Sequence, residues 1–263
     1  MERCGTLTAV YLGVSLQVLL AVILPFILLV YLMKKKLLSW KSLLMGILIF
    51  IVFSQIFEKI LHVLVLAPNG VELKGSSNPY LFALYGGLAA GVFEEMGRYI
   101  AFKLFLKNNR HYKDGLSYGL GHGGIEAIFI GGMSALSSLL IASLVQSGNL
   151  QKVMGSVLPD DQITALSEQF EHASFWLFAA GGFERSFALA LHIALSILVL
   201  YAIRKQKFVY VLYAILIHAA INFFPALYQA GTITNLLLIE IFLGIIAIVS
   251  VVFVVKMKPK FEE

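Results

Sequence analysis

Charged residues are scarce in this chain of 263 residues, at 13% of the sequence, whereas hydrophobic residues make up 59% and the mean hydropathy is +0.87. These values lie far outside the balance of a soluble globular domain. Cysteine is almost absent as well, since Cys4 is the only one. A single cysteine excludes an internal disulfide and a metal site built from cysteines. The composition indicates an integral membrane protein.

Long apolar runs, by contrast, are frequent. A helix needs about 20 apolar residues to cross about 30 Å of hydrocarbon. Such runs occur at roughly 8–33, 42–66, 80–106, 115–145, 174–203, 208–228 and 233–255. We therefore predict an all-α, polytopic bundle of about seven transmembrane helices in the cell membrane, forming a single domain over residues 1–263.

Lysine and arginine accumulate in alternate loops, as expected of the cytoplasmic side of a membrane protein. They follow the first, third and fifth runs and end the chain, as Lys34, Lys35, Lys36, Lys41, Lys107, Arg110, Lys113, Arg204, Lys205, Lys207, Lys256, Lys258 and Lys260. The other side carries only Arg3, Lys74 and Lys152. This distribution predicts an outside N-terminus and a cytoplasmic C-terminus. It also explains the net charge of +5 without a nucleic acid partner.

One sizeable polar segment, residues 146–173, lies on the predicted outer side. Within it, PDDQITALSEQFEH places Ile163, Leu166 and Phe170 at helical spacing after an Asp-rich start. This pattern predicts an amphipathic helix at the membrane surface. Such a helix can be a lid over an entrance or a plain connector, and both interpretations remain open.

Ionisable residues inside the apolar runs are the exception to this composition, and they are Glu58, Lys59, His62, Glu94, Glu95, Arg98, His122, Glu126, Glu184, Arg185, His192, His218 and Glu240. Each ionised group at a bilayer centre costs about 2.5–3.5 kcal/mol on insertion scales, so such residues usually mark a pathway or a site. Glu184 and Arg185 are expected to neutralise each other or the first acidic cluster. For Glu58, Lys59 and His62, a local ion pair and a polar cavity wall both remain open, and Glu240 has no assigned role.

The segment EEMGR places Arg98 four residues after Glu94 and three after Glu95, so either carboxylate can share a helix face with the guanidinium. If Arg98 pairs with one of the two carboxylates, at least one of them is left without an ion pair to this arginine. Burial and like charge would make that carboxylate a candidate general base. The alternative is an ion-paired cluster that only locks two helices together.

Histidines occupy the later runs at helical spacing. His122 and Glu126 stand at i and i+4, and His218 and Asn222 repeat that spacing, with His192 between them in sequence. The helix of His122 also carries Gly115, Gly119 and Gly123 at every fourth position. A glycine stripe of this kind lets another helix backbone come very close. We therefore expect the histidines to meet at a closely packed helix interface.

The ordered set of EExxR, HxxxE, His192 with Ser196 four residues on, and HxxxN resembles the YhfC family of intramembrane peptidases. That family is related to the CAAX-processing and bacteriocin-processing proteases, to PrsW and, more distantly, to the scaffold subunit of gamma-secretase. The resemblance covers residues 80–228. In the CAAX-processing relatives the arginine comes one residue later, and the second motif carries a histidine where PrsW carries a glutamate. This chain has both residue types on the same helix, His122 and Glu126, and the position of Glu126 favours it as the counterpart of the PrsW glutamate.

The resemblance implies hydrolysis of peptide bonds in or beside the membrane by a glutamate-activated water, without a cofactor. Glu94 or Glu95 would be the general base, with Arg98 orienting the pair. His122 or Glu126, together with His192, would hold the water, and His218 and Asn222 would donate hydrogen bonds to the oxyanion. The implied partners are the lipid bilayer and a membrane-associated protein or peptide substrate.

Two other interpretations remain open. In a zinc peptidase, ligands drawn from His122, Glu126, His192 and His218 would hold the metal, although the sequence contains no HExxH. In a non-catalytic scaffold or a transporter, the same groups would hold a partner or relay protons. The identity of the substrate, its cleavage position and the oligomeric state do not follow from the sequence.

Overall fold

The computed structural model describes residues 2–262, with the backbone alone for residues 2–7, so the side chains of Arg3 and Cys4 lie outside the described set. The helices are α1 (Glu2–Val18), α2 (Leu24–Lys34), α3 (Trp40–Ile49), α4 (Lys59–Val65), α5 (Pro79–Ile100), α6 (Tyr112–Glu126), α7 (Gly132–Gln146), α8 (Leu150–Met154), α9 (Asp160–Glu171), α10 (Phe175–Lys205), α11 (Val209–Gln229) and α12 (Leu236–Met257). Over residues 2–262 there is no strand, only isolated bridges near Leu73. The all-α prediction is confirmed.

Several helices are joined by wider π-helical turns rather than by loops. The joining turns are Leu19–Ile23, Phe50–Glu58 and Ala127–Gly131, whereas a further π turn, Ala101–Phe105, follows α5 and a 3₁₀ turn, Lys258–Phe261, follows α12. The π turns between α1 and α2, α3 and α4, and α6 and α7 make each pair one helical run. π-Helical turns inserted in helices are often found at functional sites.

Six helical runs among the described residues are long and apolar enough to cross a membrane: Thr8–Lys34, Trp40–Val65, Tyr112–Gln146, Phe175–Lys205, Val209–Gln229 and Leu236–Phe261. The protein is therefore a multi-pass membrane protein. The predicted third span is the helix α5, whose 22 residues include Glu94, Glu95 and Arg98. It is not among the six, so the count of seven and the orientation of the termini stay predictions.

The chain forms two compact units, residues 2–27 with 126–186 and residues 28–125 with 187–262. The prediction of a single domain stays a prediction. In the first unit, α1 packs against α7 around Val10, Val14, Ala135 and Ala142.

The predicted amphipathic helix is α9, and its Ile163 and Phe170 are buried as their spacing predicts. Together with Gln169, Phe170 also lines a cavity of about 290 Å³ in the same unit. The choice between a lid and a connector remains open.

In the second unit, α5 lies along α11 because glycines remove the side chains between them. A Cβ at Gly87 would stand 2.5 Å from the Ala219 carbonyl oxygen, and one at Gly91 would stand 2.7 Å from that of Ile215. Asn78 begins α5 by accepting hydrogen bonds from the backbone of Tyr80 and Leu81. The acidic residues of α5 are thereby placed beside the histidine of α11.

The helix α6 is packed closely on two sides. On the stripe side, a Cβ at Gly119 would stand 2.5 Å from the Ile193 Cα, and one at Gly123 would stand 2.9 Å from the His192 Cβ. On the other side, a Cβ at Gly121 would meet the Leu43 carbonyl oxygen at 2.0 Å. The expected close approach at the glycine stripe is confirmed, and it brings α10 against α6 next to His122.

Candidate active site

The acidic pair on α5 is divided between two sets of partners. Glu95 and Arg98 are both 0% exposed, and Arg98 Nη1 donates to Glu95 Oε1. Helical spacing allowed Arg98 to pair with either Glu94 or Glu95, and in the structure it is hydrogen-bonded to Glu95. Glu94 is also buried, at 7% exposure. It is the carboxylate left over for other groups.

A histidine from α11 completes the surroundings of Glu95. His218 Nδ1 lies 2.9 Å from Glu95 Oε1, and an ionised carboxylate can only accept, so Nδ1 donates. In the neutral ring, Nε2 then carries the lone pair and faces away from this bond. One carboxylate oxygen thus fixes both the guanidinium of Arg98 and the orientation of the His218 imidazole.

Glu94 faces histidines from two other helices. His122 Nε2 lies 2.9 Å from Glu94 Oε2, and His192 Nδ1 lies 3.7 Å from the same oxygen. Arg98 Nη2 is 3.2 Å from His192 Nδ1, and because a guanidinium only donates, Nδ1 presents a lone pair. Glu94, His122 and His192 therefore place one oxygen and two nitrogens in a single buried cluster.

The ring of His192 lies close to the rings of both other histidines of the site. The ring centroids of His122 and His192 are 4.9 Å apart, and those of His192 and His218 are 5.3 Å apart. Phe50, from the π turn after α3, lies edge-on to His122 at 5.6 Å. The Ser196 hydroxyl donates to the backbone carbonyl of His192, at 2.7 Å. The prediction that these histidines meet is confirmed.

Tyr118 belongs to this cluster, and sequence reasoning missed it. Its ring stacks on the His122 ring with centroids 6.3 Å apart, and it is 0% exposed. The Arg98 guanidinium carbon lies 5.9 Å from the centroid of the Tyr118 ring. The available signal was its position one helical turn before His122, on the same face of α6.

Glu126 lies in the other unit and is bonded there to arginine. Arg185 Nη1 donates to Glu126 Oε1 at 3.0 Å, and Arg185 Nη2 donates to Glu184 Oε1. The expectation that Glu184 and Arg185 neutralise each other is confirmed. A role for Glu126 in holding water or metal stays a prediction, which depends on its spacing from His122.

Asn222 follows His218 by one turn of α11 and is partly exposed. Among the residues that the structure describes, its side chain has no hydrogen-bond partner, so its role as an oxyanion donor stays a prediction.

Glu58 and His62 form the local pair that helical spacing allows, with His62 Nε2 3.3 Å from Glu58 Oε1. His62 Nδ1 also lies 2.8 Å from the Tyr85 hydroxyl.

The donor set around Glu94 fits a divalent metal ion. Zinc prefers imidazole nitrogens and carboxylate oxygens at about 2.0–2.2 Å, and tetrahedral bonds of that length separate neighbouring ligand atoms by roughly 3.3–3.5 Å. The ligand atoms of Glu94, His122 and His192 lie within 4.8 Å of one another, and the distances from Glu94 Oε2 to His122 Nε2 (2.9 Å) and to His192 Nδ1 (3.7 Å) lie on either side of the ideal value. Three buried residues of the right chemistry could therefore hold such an ion.

Comparison with known proteins gives the family of this chain. A sequence model of the family described as YhfC intramembrane metalloprotease matches residues 20–243. The protein named "Uncharacterized membrane protein YhfC" from Bacillus subtilis (strain 168) is 37% identical over 243 residues, which covers 92% of this chain and 94% of that protein. No solved structure matches the chain. The chain belongs to the YhfC intramembrane metalloprotease family.

Proposed function

We propose that this protein is a metal-dependent intramembrane endopeptidase, with the ion held by Glu94, His122 and His192. The observation that carries the proposal is the convergence of these three buried side chains from α5, α6 and α10. A lone buried histidine is often a packing residue, but two histidine nitrogens that lie 2.9 and 3.7 Å from one carboxylate oxygen support a ligand set, in which the ion would take the Nδ1 lone pair of His192 that otherwise accepts from Arg98.

A bound zinc ion would polarise the scissile carbonyl and make water a stronger nucleophile near neutral pH. The remaining work falls to the chain's own residues. Glu95 holds the His218 imidazole by its Nδ1–H, so that Nε2 can accept the proton of the attacking water and pass it to the leaving amine. Arg98 holds Glu95 in place by donating from Nη1 to Glu95 Oε1. The protonated Nε2 of His218 and the Asn222 amide are the proposed donors to the oxyanion.

This assignment places the two glutamates in different roles. Glu94 is a ligand because its oxygen faces two imidazoles, whereas Glu95 acts through His218 because its bonded oxygen is already occupied by two donors. Burial supports both roles, since charge–charge and charge–dipole interactions are stronger where water is excluded.

The second candidate is hydrolysis without a metal, in which Glu94 itself activates the water. The observation in its favour is the 2.9 Å contact between His122 Nε2 and Glu94 Oε2, which is a satisfied hydrogen bond in its own right. In that mechanism Glu94 accepts a proton from the attacking water, and His122 orients the Glu94 carboxylate. Both candidates share the same residues and the same product, so metal dependence separates them.

The deciding experiment measures metal content and cleavage in the same preparation. The full chain is purified in detergent, its metals are quantified by mass spectrometry, and cleavage of a transmembrane reporter peptide is followed before and after treatment with a chelator. We expect about one zinc per chain, loss of cleavage on chelation and recovery on adding zinc. Full cleavage by metal-free protein would favour the glutamate mechanism, and absence of both metal and cleavage would favour a scaffold.

A pair of histidine variants locates the metal. His122→Ala should lose both zinc and cleavage. His62→Ala is the matched control, because His62 is also a histidine in a predicted span but bonds to Glu58 and Tyr85 instead. It should keep the metal and most of the cleavage rate. Comparative proteomics of a deletion strain, searching for a membrane protein that is no longer trimmed, would then identify the substrate.

A further inference from the structure

Three of the buried polar atoms beside the site belong to adjacent residues and have no hydrogen-bond partner within residues 8–262. They are Glu95 Oε2, Arg98 Nε and the Tyr118 hydroxyl, and all three residues are 0% exposed. Buried polar groups in native proteins are nearly always bonded, to protein or to an internal water. Three exceptions in one cluster therefore require an explanation.

The three residues are neighbours. Arg98 is bonded to Glu95 through its Nη1, and its guanidinium carbon lies 5.9 Å from the Tyr118 ring centroid. Their unused capacities are also complementary, because Oε2 only accepts, Nε–H only donates and a phenolic hydroxyl does both. A buried water typically makes about three hydrogen bonds to such otherwise unsatisfied groups.

We propose that Glu95 Oε2, Arg98 Nε and the Tyr118 hydroxyl form a binding site for one internal water molecule. The water donates to Glu95, accepts from Arg98 and exchanges a hydrogen bond with Tyr118. It thereby ties the ion pair on α5 to α6, one turn before His122, whose ring stacks on Tyr118. Tyr118 is a positioning residue, since it acts on the reaction through His122 and the Glu95–Arg98 pair.

The positioning role depends on the proposed proteolytic function, but the water site does not, and the experiment separates them. The test compares Tyr118→Phe with Tyr112→Phe in the full chain in detergent. Both tyrosines lie on α6, and the Tyr112 hydroxyl donates to the Val254 carbonyl at 2.8 Å. Tyr112→Phe therefore shows what loss of one satisfied hydroxyl does to stability, away from the site.

Stability is measured on metal-free protein, so that this readout needs no activity. If water satisfies Tyr118, Tyr118→Phe should lower the Tm by roughly 2–4 °C, as expected for a lost hydrogen bond in a chain of this size and as for Tyr112→Phe. An unchanged or raised Tm would show that the hydroxyl has no partner, and it would overturn the water site. This result stands whether or not the protein cleaves peptides.

Cleavage by the zinc-loaded variants tests the positioning role. Tyr118→Phe should lower kcat about tenfold or more with KM unchanged and with zinc retained, as is typical for residues that orient metal ligands. Tyr112→Phe should leave kcat near the wild-type value. Equal kcat values for the two variants would overturn the positioning role, and wild-type protein without any cleavage would instead count against the proposed function.

Discussion

Two clusters in this protein each place two carboxylates around one arginine, and they use the arginine differently. In the first, Arg98 bonds Glu95 while Glu94 faces His122. In the second, Arg185 bonds both Glu126 and Glu184. The side chains of Arg98 and Glu95 are fully buried, whereas the Glu184 side chain is 36% exposed. The same residue types thus produce two different electrostatic arrangements.

The number of carboxylates bonded to each arginine determines whether a carboxylate in a low-dielectric environment is available to bind other groups. An arginine shared by two carboxylates neutralises both in part, which suits an ion-paired cluster. An arginine committed to one carboxylate leaves the other to imidazoles, and imidazole with carboxylate is the donor set of catalytic zinc sites. The first cluster is therefore the one in which we place the chemistry, and the following predictions test that choice from the largest expected effect to the smallest.

The same substitution in each cluster should give the largest contrast. Glu94→Gln should lower peptide cleavage by at least about 10²–10³-fold, the range for removing one group that stabilises charge in the transition state. It should also lower zinc content. Glu184→Gln should change cleavage far less, because Arg185 keeps Glu126 as a partner. Single-turnover cleavage of a reporter peptide measures both, and equal losses would remove the distinction between the clusters.

The two arginines should differ in their contribution to stability. Arg98→Gln leaves Glu95 buried without its counter-charge and should cost about 3–5 kcal/mol, as for other broken buried pairs. Arg185→Gln should cost less, about 1–2 kcal/mol, because the side chains of Arg185, Glu126 and Glu184 are 14%, 11% and 36% exposed, whereas those of Arg98 and Glu95 are fully buried. Unfolding in mixed detergent and denaturant, with helical content as the signal, provides the two free energies. A larger cost for Arg185 would contradict the burial argument.

The smallest contrast concerns the helix contact that supports the first cluster. A Cβ at Gly87 would stand 2.5 Å from the Ala219 carbonyl oxygen, whereas a Cβ at Gly86 would meet nothing within 4 Å. Gly87→Ala should cost about 1–3 kcal/mol by overpacking α5 against α11, and cleavage should fall because His218 moves from Glu95. Gly86→Ala should be neutral or stabilising by roughly 0.5–1 kcal/mol. Thermal unfolding and cleavage of the two variants check this, and equal behaviour would show that α5 and α11 are not held by close contact.

Much of the fold was predictable because membrane helices need only length and apolarity. The predicted runs agree with the helices to within a few residues, and the amphipathic pattern around Ile163 and Phe170 correctly predicted α9. The π-helical turns were not predicted, because they depend on local backbone register rather than on composition. α5 shows the limit of the apolarity criterion, since Glu94, Glu95 and Arg98, to which we assign roles in the proposed function, also make it less apolar.

The sequence predicted that Glu94, Glu95, Arg98 and the three histidines of the later runs would lie close together, but it did not predict how they pair. Spacing alone offered Glu94 and Glu95 equally to Arg98, and it gave no partner for any histidine outside its own helix. The bonds between His218 and Glu95 and between His122 and Glu94 join residues 123 and 28 positions apart. Tyr118 was missed for the same reason, because only its contacts with His122 and Arg98 distinguish it from other aromatic residues in apolar runs.

The sequence by itself determined that the chain enters a membrane as helices, that their acidic and imidazole groups share helix faces, and that glycines leave room for close contacts. These properties follow from composition and from the period of the helix, which act over a few residues. The tertiary structure alone decided which carboxylate Arg98 takes, which histidines the other one faces, and which buried polar atoms remain for an internal water. Those outcomes depend on the approach of helices that are distant in the chain, and a contact such as Gly123 against His192 exists only after folding.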